Sequence, residues 1–246
     1  MKHIVSFSGG KDSTLMLILM LEKGMPIDDI IFADTGVEFP ETYENIKRIE
    51  EYTGKKITVL KSETYTWKTL FFHKKVKGKW IGQINAFPRV VGCRVNTYLK
   101  KQPIDKYYKT IKDEVTEYIG IAANEPKRYS RLKSNQKAPL FEWGITEDMV
   151  IEELKKRGLH NPYYDVFYRQ GCFMCPSMGI NGARKLKRYY PELWKELMWY
   201  GKQAELHATD KRFAEWIPGW TVAELDERFN RENIAQIVQE IEKEGN

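Results

Sequence analysis

The amino-acid sequence predicts an α/β protein, in which a Rossmann-like, doubly wound parallel sheet is followed by a mainly helical C-terminal region. Short apolar runs rich in β-branched residues alternate with helix-like stretches up to about residue 140. Glycines close several of these stretches, as they commonly do at helix ends. Beyond that point the sequence reads as successive helices. Alternation of strands and helices is typical of parallel strands joined by right-handed crossovers.

Each predicted element has a local signal. "KHIVSFS" is a short β-branched run that fits a buried strand, and the apolar stretch "DSTLMLILMLEKG" predicts a helix that is buried on several sides and ends at Gly24. "PETYENIKRIEEYTG" predicts an amphipathic helix closed by Gly54. Further strands are predicted in "DDIIFADTG", "KKITVLKS" and "TEYIGIAANE", and further helices in "KKQPIDKYYKTIKDE", "ITEDMVIEELKKRG", "YPELWKELMWYGKQAELH" and "TVAELDERFNRENIAQIVQEIEKE".

Two domains are predicted from this order of elements. Residues 1–140 form a nucleotide-binding α/β domain, and residues 141–246 form a helical region that carries a Cys-x-x-Cys pair. No Ser- or Gly-rich linker separates them, so the helical region is expected to pack on the sheet domain.

Composition limits the classes of function. The chain has 246 residues, of which 42% are hydrophobic and 30% charged, and its formal net charge of +6 favours anionic partners such as nucleotides or nucleic acid. The longest apolar stretch, "LMLILML", is far shorter than the roughly 20 residues of a membrane span. The first residues run directly into a strand without a signal-peptide pattern, so a cytoplasmic location is expected.

Basic residues gather beside aromatic ones in two places, "FFHKKVKGKW" at 71–80 and "GARKLKRYY" at 182–190. Such stretches are often solvated surface. They are also suited to contact phosphates while rings stack on bases. The sequence leaves both interpretations open.

A Gly-rich turn, "SGGKDS", lies between the first predicted strand and the first predicted helix. Ligands of open α/β folds bind at the carboxyl ends of the strands. Glycines let a backbone approach an anion, and the N–H groups and dipole of the helix favour negative charge there. We therefore expect a phosphate at this loop, with Ser8 and Ser13 as hydroxyl donors and Lys11 adding charge. The spacing fits neither the Walker pattern nor the dinucleotide Gly-x-Gly-x-x-Gly motif.

The loop resembles the pyrophosphate loop (PP-loop) of the N-type ATP pyrophosphatases, whose fold is adenine nucleotide alpha hydrolase-like. Within that superfamily, "FADTGVEFPETYENI" resembles the phosphoadenosine phosphosulfate (PAPS) reductase group. Four later segments match that group in order: "GCRVNTYLKKQPIDKY", "YIGIAANEPKRYSRL", "PLFEWGITEDMVIEEL" and "LHNPYYDVFYRQGCFMCP". The resemblance covers roughly residues 2 to 200. It identifies the chain as a member of the PAPS reductase family.

The resemblance implies a set of site residues. Lys11, Asp12, Cys172 and Cys175 are the implied catalytic residues, although Asp12 could equally cap the first helix or hold Mg²⁺ on the phosphates. The implied nucleotide-binding residues are Ser6, Phe7, Ser8, Gly9, Gly10, Lys11, Asp12, Ser13, Asp34, Thr35, Gly36, Glu38, Arg94, Lys100, Gly120, Arg128 and Arg131. The implied ligand is ATP, or PAPS or adenylylsulfate, with Mg²⁺.

Two departures from the family pattern bear on the reaction. The reductases carry a catalytic cysteine near the C-terminus, and this sequence has no cysteine after Cys175. Ala122 and Asn124 stand where the family has Arg and Asp, so recognition of a sulfonucleotide is expected to be altered, with Arg128 and Arg131 as replacement charges.

The three cysteines, Cys93, Cys172 and Cys175, are predicted metal ligands. By resemblance to tRNA thiolation enzymes, three thiolates could hold a 4Fe-4S cluster with one open iron. A zinc site completed by His160 or His73 is the alternative. A third reading leaves the thiols without metal, two of them simply buried.

The function expected from these features is ATP-dependent adenylation coupled to sulfur transfer, with nucleic acid as a compatible acceptor and a sulfur-donor protein as partner. One alternative is a reductase-like enzyme acting on PAPS or adenylylsulfate. Another is a nucleotide-binding subunit without catalysis. A homodimer is compatible with the sequence.

Overall fold

The computed structural model describes the backbone of residues 1–244 and the side chains of residues 1–234. Its centre is a sheet of five parallel strands in the order β3-β2-β1-β4-β5. Val5 of the central strand pairs with Ile30 on one side and Tyr118 on the other. The strands are β1 (Lys2–Ser6), β2 (Asp29–Ala33), β3 (Thr58–Leu60), β4 (Val115–Ile119) and β5 (Gln136–Lys137).

Helices connect the strands and make up most of the remaining chain. They are α1 (Lys11–Glu22), α2 (Pro40–Thr53), α3 (Trp67–Phe72), a π-helix (Val95–Lys101), α4 (Gln102–Lys109), α5 (Pro126–Tyr129), α6 (Pro139–Glu142), α7 (Glu147–Lys156), α8 (Tyr163–Val166), a 3₁₀ turn (Pro176–Met178), α9 (Gly179–Tyr189), α10 (Pro191–His207), a second 3₁₀ turn (Lys211–Phe213) and α11 (Val222–Glu244). With helices on both faces of the parallel sheet and a helical C-terminal region, the predicted fold class is confirmed.

The first two helices follow their sequence signals closely. α1 is apolar nearly all round because it is buried along most of its length, from Leu15 to Met20. α2 begins with Pro40 at its first turn and ends where Gly54 adopts a left-handed conformation, with φ at 65°. These helices pack with the apolar residues of β1 and β2 into one hydrophobic core.

The chain forms two compact units, each built from two stretches of sequence. Unit 1 comprises residues 1–64 and 96–171 and contains the sheet. Unit 2 comprises residues 65–95 together with the chain from residue 172 onward. The predicted division into residues 1–140 and 141–246 stays a prediction, and its last two residues lie outside the described part of the chain. None of the described helices has the length and apolar character that a bilayer crossing requires.

Unit 2 has an aromatic core. Trp216 is buried, and its indole N–H donates to the carbonyl of Met174 at 2.9 Å. The ring of Phe71 packs edge-on against those of Phe87 and Tyr200. The contact between Phe71 and Tyr200 joins the 65–95 stretch of unit 2 to its C-terminal helices.

Candidate nucleotide-binding site

The Gly-rich loop lies at the carboxyl end of the central strand. β1 is flanked by β2, the next strand in sequence, and by β4, which follows a long connection. The strand order therefore reverses between β1 and β4, and such a switch point opens a crevice where ligands of α/β folds bind. The sequence places the loop 8–13 after β1 and Gly120 after β4, so both border this crevice.

Gly120 is required by packing. A Cβ built on it would lie 2.7 Å from the backbone nitrogen of Ser13 and 2.9 Å from the carbonyl carbon of Asp12. Both atoms are backbone, so neither can move without displacing the start of α1. Gly120 therefore sets how closely the end of β4 approaches the loop.

Gly9 and Gly10 are constrained by side chains from elsewhere in unit 1. Gly9 has a φ of 76°, and a Cβ there would lie 2.8 Å from Thr42. A Cβ on Gly10 would lie 2.6 Å from the amide oxygen of Gln170 and 3.1 Å from the hydroxyl of Tyr164. Side chains of Thr42, Tyr164 and Gln170 therefore pack closely against the loop and leave no room for a Cβ at either glycine.

Hydroxyl groups order the interior of the loop. The Ser8 and Ser13 hydroxyl oxygens lie 3.1 Å apart, and the Ser8 backbone N–H donates to the Ser13 oxygen. Gly10 is the N-cap of α1, so the cap residue supplies no side-chain acceptor for the first N–H groups of that helix. The Lys11 N–H donates instead to Tyr164 at 2.8 Å. This helix start, with its partial positive charge, is suited to bind a phosphate.

The Lys11 side chain does not extend into solvent. Its ammonium group donates to Asp12 at 2.8 Å and to Glu147 at 2.7 Å, and the side chain is only 3% exposed. Glu147 also accepts a hydrogen bond from Tyr168 at 2.8 Å and is bonded through its backbone N–H to Asn124. Lys11 therefore joins the loop to the start of α7, and two carboxylates compensate its charge.

The pKa values of this cluster follow from burial and charge. Burial favours the neutral form of Lys11, but the charges of Asp12 and Glu147 outweigh it and raise the Lys11 pKa. Burial raises the pKa of Asp12 despite Lys11. Burial also opposes ionisation of Glu147, yet the hydrogen bonds from Lys11 and Tyr168 lower its pKa overall. Lys11 and Glu147 are thus held as a charged pair.

The residues after β2 form a second part of the site. Asp34 accepts hydrogen bonds from the Gly36 N–H and the Tyr43 hydroxyl, each at 2.8 Å, and pairs with Lys61 at 3.0 Å. Burial opposes its ionisation, but the Gly36 N–H, Lys61 and Tyr43 together lower the Asp34 pKa. Gly36 has a φ of 72°, which favours glycine. Asp34 is therefore a fixed carboxylate at the end of β2.

Glu38 behaves differently from Asp34. Its carboxylate accepts a hydrogen bond from Thr35 at 2.8 Å. Burial raises its pKa, although the nearby positive charge of Lys100 acts in the opposite direction. Thr35, Glu38 and Lys100, all predicted from the sequence, are thus brought together within unit 1.

Other predicted residues lie away from the loop cluster or serve the fold. Phe7 is buried in the hydrophobic core, and Ser6 is the last residue of β1. Arg128 pairs with Glu125 at 2.6 Å on the surface of α5, and Arg131 is exposed. Arg94 belongs to unit 2. The nucleotide-binding roles of these residues stay predictions.

Several residues that shape the loop are not indicated by any sequence pattern. Asn45 donates to the Gly9 carbonyl and to Thr14, both at 3.0 Å. Glu147, Tyr164 and Gln170 reach the loop from more than 130 residues away in the chain. Their segments were recognised by resemblance, "GITEDM" and "NPYYDVFYRQG", but no local pattern shows which side chains turn toward residue 11.

All three cysteines belong to unit 2 and are half-buried. The Cys175 N–H donates to the Cys172 carbonyl at 3.0 Å, which makes the Cys-x-x-Cys segment a tight turn. Within residues 1–234 no group of three or more His, Cys, Asp or Glu side chains is arranged to hold a metal ion. His160, one candidate zinc ligand, pairs with Asp165 in unit 1. A cluster or a zinc site is therefore not shown, and the metal-binding roles of Cys93, Cys172 and Cys175, with His160 or His73 as a zinc ligand, stay predictions.

Comparison with known proteins gives a family match over most of the chain. The family model of the phosphoadenosine phosphosulfate reductase domain matches residues 2–178. Two uncharacterized proteins of Methanocaldococcus jannaschii are 32% and 27% identical to the chain, each over 78% of its length. The matches cover 40% and 45% of those proteins, so the chain spans less than half the length of these curated relatives.

A solved structure gives a more distant match. The crystal structure of a PAPS reductase from Candida auris, in complex with phosphate, is 16% identical to this chain. The aligned region covers 69% of this chain and 81% of that one, with a TM-score of 0.47.

Proposed function

Because the chain belongs to the phosphoadenosine phosphosulfate reductase domain family, we propose that it binds ATP at the loop 8–13 and catalyses adenylyl transfer with release of pyrophosphate. The observation that carries this proposal is the loop itself. Two constrained glycines, two hydroxyls and the start of α1, whose N-cap residue Gly10 supplies no side-chain acceptor, meet at the switch point of the sheet. That combination is suited to a polyphosphate.

The proposed roles follow the contacts. The N–H groups of the loop and the Ser8 and Ser13 hydroxyls bind phosphate oxygens. Asp34, whose carboxylate stays ionised, is placed after the adjacent strand to accept hydrogen bonds from the ribose or the adenine. Lys11 positions Asp12 and Glu147 through its two ion pairs. Binding would thus fix the nucleotide with its phosphates over the loop.

Asp12 and Glu147 fit a magnesium site, because Mg²⁺ is commonly bound by one or two carboxylates together with substrate phosphates. Both carboxylates are brought to the loop by the same lysine. When bound, the ion would offset the negative charge of the phosphates. The chain itself contributes the carboxylate oxygens and the lysine that orients them.

In the proposed reaction an acceptor oxygen attacks the α-phosphorus of ATP. A new oxygen–phosphorus bond forms, the bond from that phosphorus to the bridging oxygen breaks, and pyrophosphate leaves with the electron pair. The loop contributes by positioning the phosphates and by offering hydrogen bonds to the charge that develops on them. We propose nucleic acid as the acceptor, on the basis of the basic composition of the chain.

Sulfur transfer is the further part of the proposal. One thiolate of the Cys172 and Cys175 pair would attack the outer sulfur of a donor-protein persulfide, and the donor cysteine would leave as a thiolate. The resulting cysteine persulfide would displace AMP from the adenylated acceptor. The second thiol of the pair would then attack the first cysteine's sulfur, which releases the thiolated acceptor and leaves a Cys172–Cys175 disulfide for a dithiol reductant to restore, since two thiols in one turn allow exchange between them. No step is assigned to a metal cluster. Iron, zinc and acid-labile sulfide in anaerobically purified protein test the state of the thiols: about four irons and four sulfides per chain would support the predicted cluster instead of free thiols.

The test of the proposed function is pyrophosphate release from ATP, measured in a coupled assay with and without single-stranded oligonucleotide as acceptor. We expect release by the wild-type chain and a loss of at least about tenfold in Ser8→Ala, which removes an exposed hydroxyl of the loop. Ser130→Ala, an exposed serine of the same unit, is the matched control. Sulfite release from PAPS or adenylylsulfate would favour the reductase-like alternative. Tight ATP binding without turnover would favour a non-catalytic subunit.

The homodimer and the cytoplasmic location remain predictions from the sequence. Analytical ultracentrifugation of the purified chain tests the first.

A further inference from the structure

A second polar cleft lies within unit 2, on a structured scaffold. Lys74 and Ile84 form an antiparallel bridge, and the Lys75 N–H donates to the Gln83 carbonyl at 2.9 Å. The Gln83 side chain is buried, and its amide oxygen accepts hydrogen bonds from the backbone and hydroxyl of Thr209 at 2.9 and 3.0 Å. The basic stretch 71–80 is therefore held in place against the segment that follows α10.

The cleft combines positive charge with aromatic rings. It has a volume of about 380 Å³ and is lined by Lys75, Trp80, Asn85, Arg89, Val91, Gly92, Arg94 and Phe213. An adjoining cleft of about 350 Å³ shares Trp80, Asn85, Arg89 and Phe213 with it, and its further charged residues are Arg212 and Glu215. The Trp80 and Phe213 rings meet edge-on, with centroids 5.0 Å apart. The shared wall is thus aromatic, and the charged residues that line the cleft at Lys75 are all cations.

The cations are stacked on these rings. The Lys75 ammonium lies 3.9 Å from the centroid of Phe213, and the Arg89 guanidinium lies 5.8 Å from it. The Arg212 guanidinium lies 5.6 Å from the centroid of Trp80, although Arg212 also pairs with Asp210. In the described part of the chain, neither Lys75 nor Arg89 has a carboxylate within ion-pair distance. Their charges are therefore open to an anion from solution.

The local sequence explains the excess of positive charge. Residues 65–95 contain seven lysines and arginines and no aspartate or glutamate. Burial lowers the pKa of Lys75, and the charges of Arg89 and Arg94 lower it further. Like charges held this close repel one another, and a bound anion would relieve that repulsion.

We propose that this cleft binds single-stranded nucleic acid, with a phosphate at Lys75 and Arg89 and a base against Trp80 and Arg212. Trp80 is half-buried and Arg212 is exposed, so a planar base can reach both. Base stacking on aromatic rings and guanidinium planes, combined with cations that follow the backbone, is how single strands are bound without sequence preference. Exposed Lys74, Lys77 and Lys79 continue the charge beyond the cleft, which favours a strand over a free nucleotide.

The inference rests on the proposed function only in that it locates the proposed nucleic-acid acceptor. The binding itself needs no turnover. Its residues all belong to unit 2, whereas the loop 8–13 belongs to unit 1. The two proposals can therefore fail separately.

The test is fluorescence anisotropy with labelled single-stranded DNA and RNA of 16 nucleotides, on the full chain. We expect the double variant Lys75→Gln/Arg89→Gln to bind the oligonucleotide at least about tenfold more weakly than wild type. The magnitude of the slope of log affinity against log salt should fall by about two, because two phosphate contacts are removed. The matched control, Lys112→Gln/Lys202→Gln, removes the same charge from exposed positions and should bind within about twofold of wild type. Circular dichroism verifies that both variants are folded.

Two further arms separate the sources of the phosphate. Trp80→Ala should weaken oligonucleotide binding several-fold but leave binding of inorganic polyphosphate unchanged, because only the former has bases to stack. If AMP competes as well per molecule as the 16-mer, the cleft is a mononucleotide site and the assignment to a strand is overturned. If the two double variants bind the oligonucleotide with equal affinity, the assignment of nucleic-acid binding to this cleft is overturned.

The same preparations distinguish this inference from the proposed function. Ser8→Ala should lose pyrophosphate release but bind the oligonucleotide as wild type does. Lys75→Gln/Arg89→Gln should bind ATP as wild type does but lose the oligonucleotide. Loss of both properties in either variant would contradict the separation of the two sites.

Discussion

Two lysines in this chain carry the same charge in opposite surroundings. Lys11, at the loop of unit 1, is buried between two carboxylates, and their charges raise its pKa. Lys75, in the cleft of unit 2, lies on the ring of Phe213 beside two arginines, and burial together with those charges lowers its pKa. The first lysine already has its counter-ions within the fold, whereas the second, among the residues whose side chains are described, lies beside two arginines and has no carboxylate within ion-pair distance.

The difference distinguishes a lysine whose charge is already compensated within the fold from a lysine whose charge is available to a bound anion. A lysine that is compensated by carboxylates contributes chiefly to the position of its neighbours, here Asp12 and Glu147. A lysine among like charges costs free energy in the folded state and recovers it when an anion binds. Position beside a Gly-rich loop therefore does not make Lys11 a phosphate ligand by itself.

Lys11→Met should have the largest effect on stability. It would leave two partly buried carboxylates without their shared cation, which typically costs about 3 kcal/mol. Urea denaturation followed by circular dichroism at pH 7 measures the loss. Lys112→Met, at an exposed position of the same unit, is the control and should change the free energy of unfolding by less than about 0.5 kcal/mol. Equal losses in the two variants would contradict the structural role of Lys11.

Gly120→Ala should have the second-largest effect on stability, and its cause is packing rather than charge. The new Cβ would meet backbone atoms of Asp12 and Ser13 closer than 3.0 Å, so the start of α1 must shift. We expect a loss of about 1–3 kcal/mol in stability and, since 1.4 kcal/mol is a factor of ten, about tenfold weaker ATP binding. Calorimetric titration measures the binding.

Gly171→Ala is the matched control for that change, because a Cβ there meets no atom within 4 Å. Wild-type ATP affinity in Gly120→Ala would show that the loop does not depend on the end of β4.

Glu147→Gln should lower the free energy of unfolding by less, about 1–2 kcal/mol at pH 7, because Lys11 keeps Asp12 as a partner. The pKa of Glu147 is lowered from its ordinary 4.5, so its contribution is complete above that pH and is lost as the pH falls through the lower, folded-state value. Urea titrations at pH 7 and pH 3 should show the gap between wild type and variant closing. Glu152→Gln, exposed on the same helix, should show no gap at either pH.

Lys75→Met should have the smallest effect on stability. Any change should be stabilising, whereas Lys11→Met is destabilising. Removing a charge that burial and two arginines disfavour should leave stability unchanged or raise it by less than about 0.5 kcal/mol. The same urea denaturation measures it. A loss comparable with that of Lys11→Met would mean that Lys75 is also a structural cation, and the contrast between the units would disappear.

Much of the fold could be predicted from the sequence because its signals are local. Gly54 closes α2, and the all-round apolar pattern of α1 predicts its burial. The short strand β5 was missed because Gln136–Lys137 has no apolar pattern and is a strand only through its pairing with β4. The hydrogen-bonded arrangement of residues 73–85 could not be predicted either, because a stretch rich in charged residues is usually solvated surface.

The candidate site was predictable where the chain is continuous. Residues 8–13 and 34–38 follow strands, and parallel strands bring such segments to one edge. The partners of Lys11 could not be predicted, because Glu147 and Tyr164 are placed by the packing of α7 and α8 rather than by any spacing from the loop. Sequence patterns located the phosphate loop but not the charges that face it.

The contact between Gln83 and Thr209 has a consequence for synthesis. The two residues are 126 positions apart, and a ribosome adding about 5–20 residues per second needs on the order of ten seconds to make the intervening chain. During that interval the Gln83 amide oxygen lacks its native hydrogen-bond donors, the backbone and hydroxyl of Thr209, and residues 65–95 are tethered to the growing chain before the rest of unit 2 exists. The order of translation thus places completion of the cationic cleft after synthesis of the whole sheet, including β5.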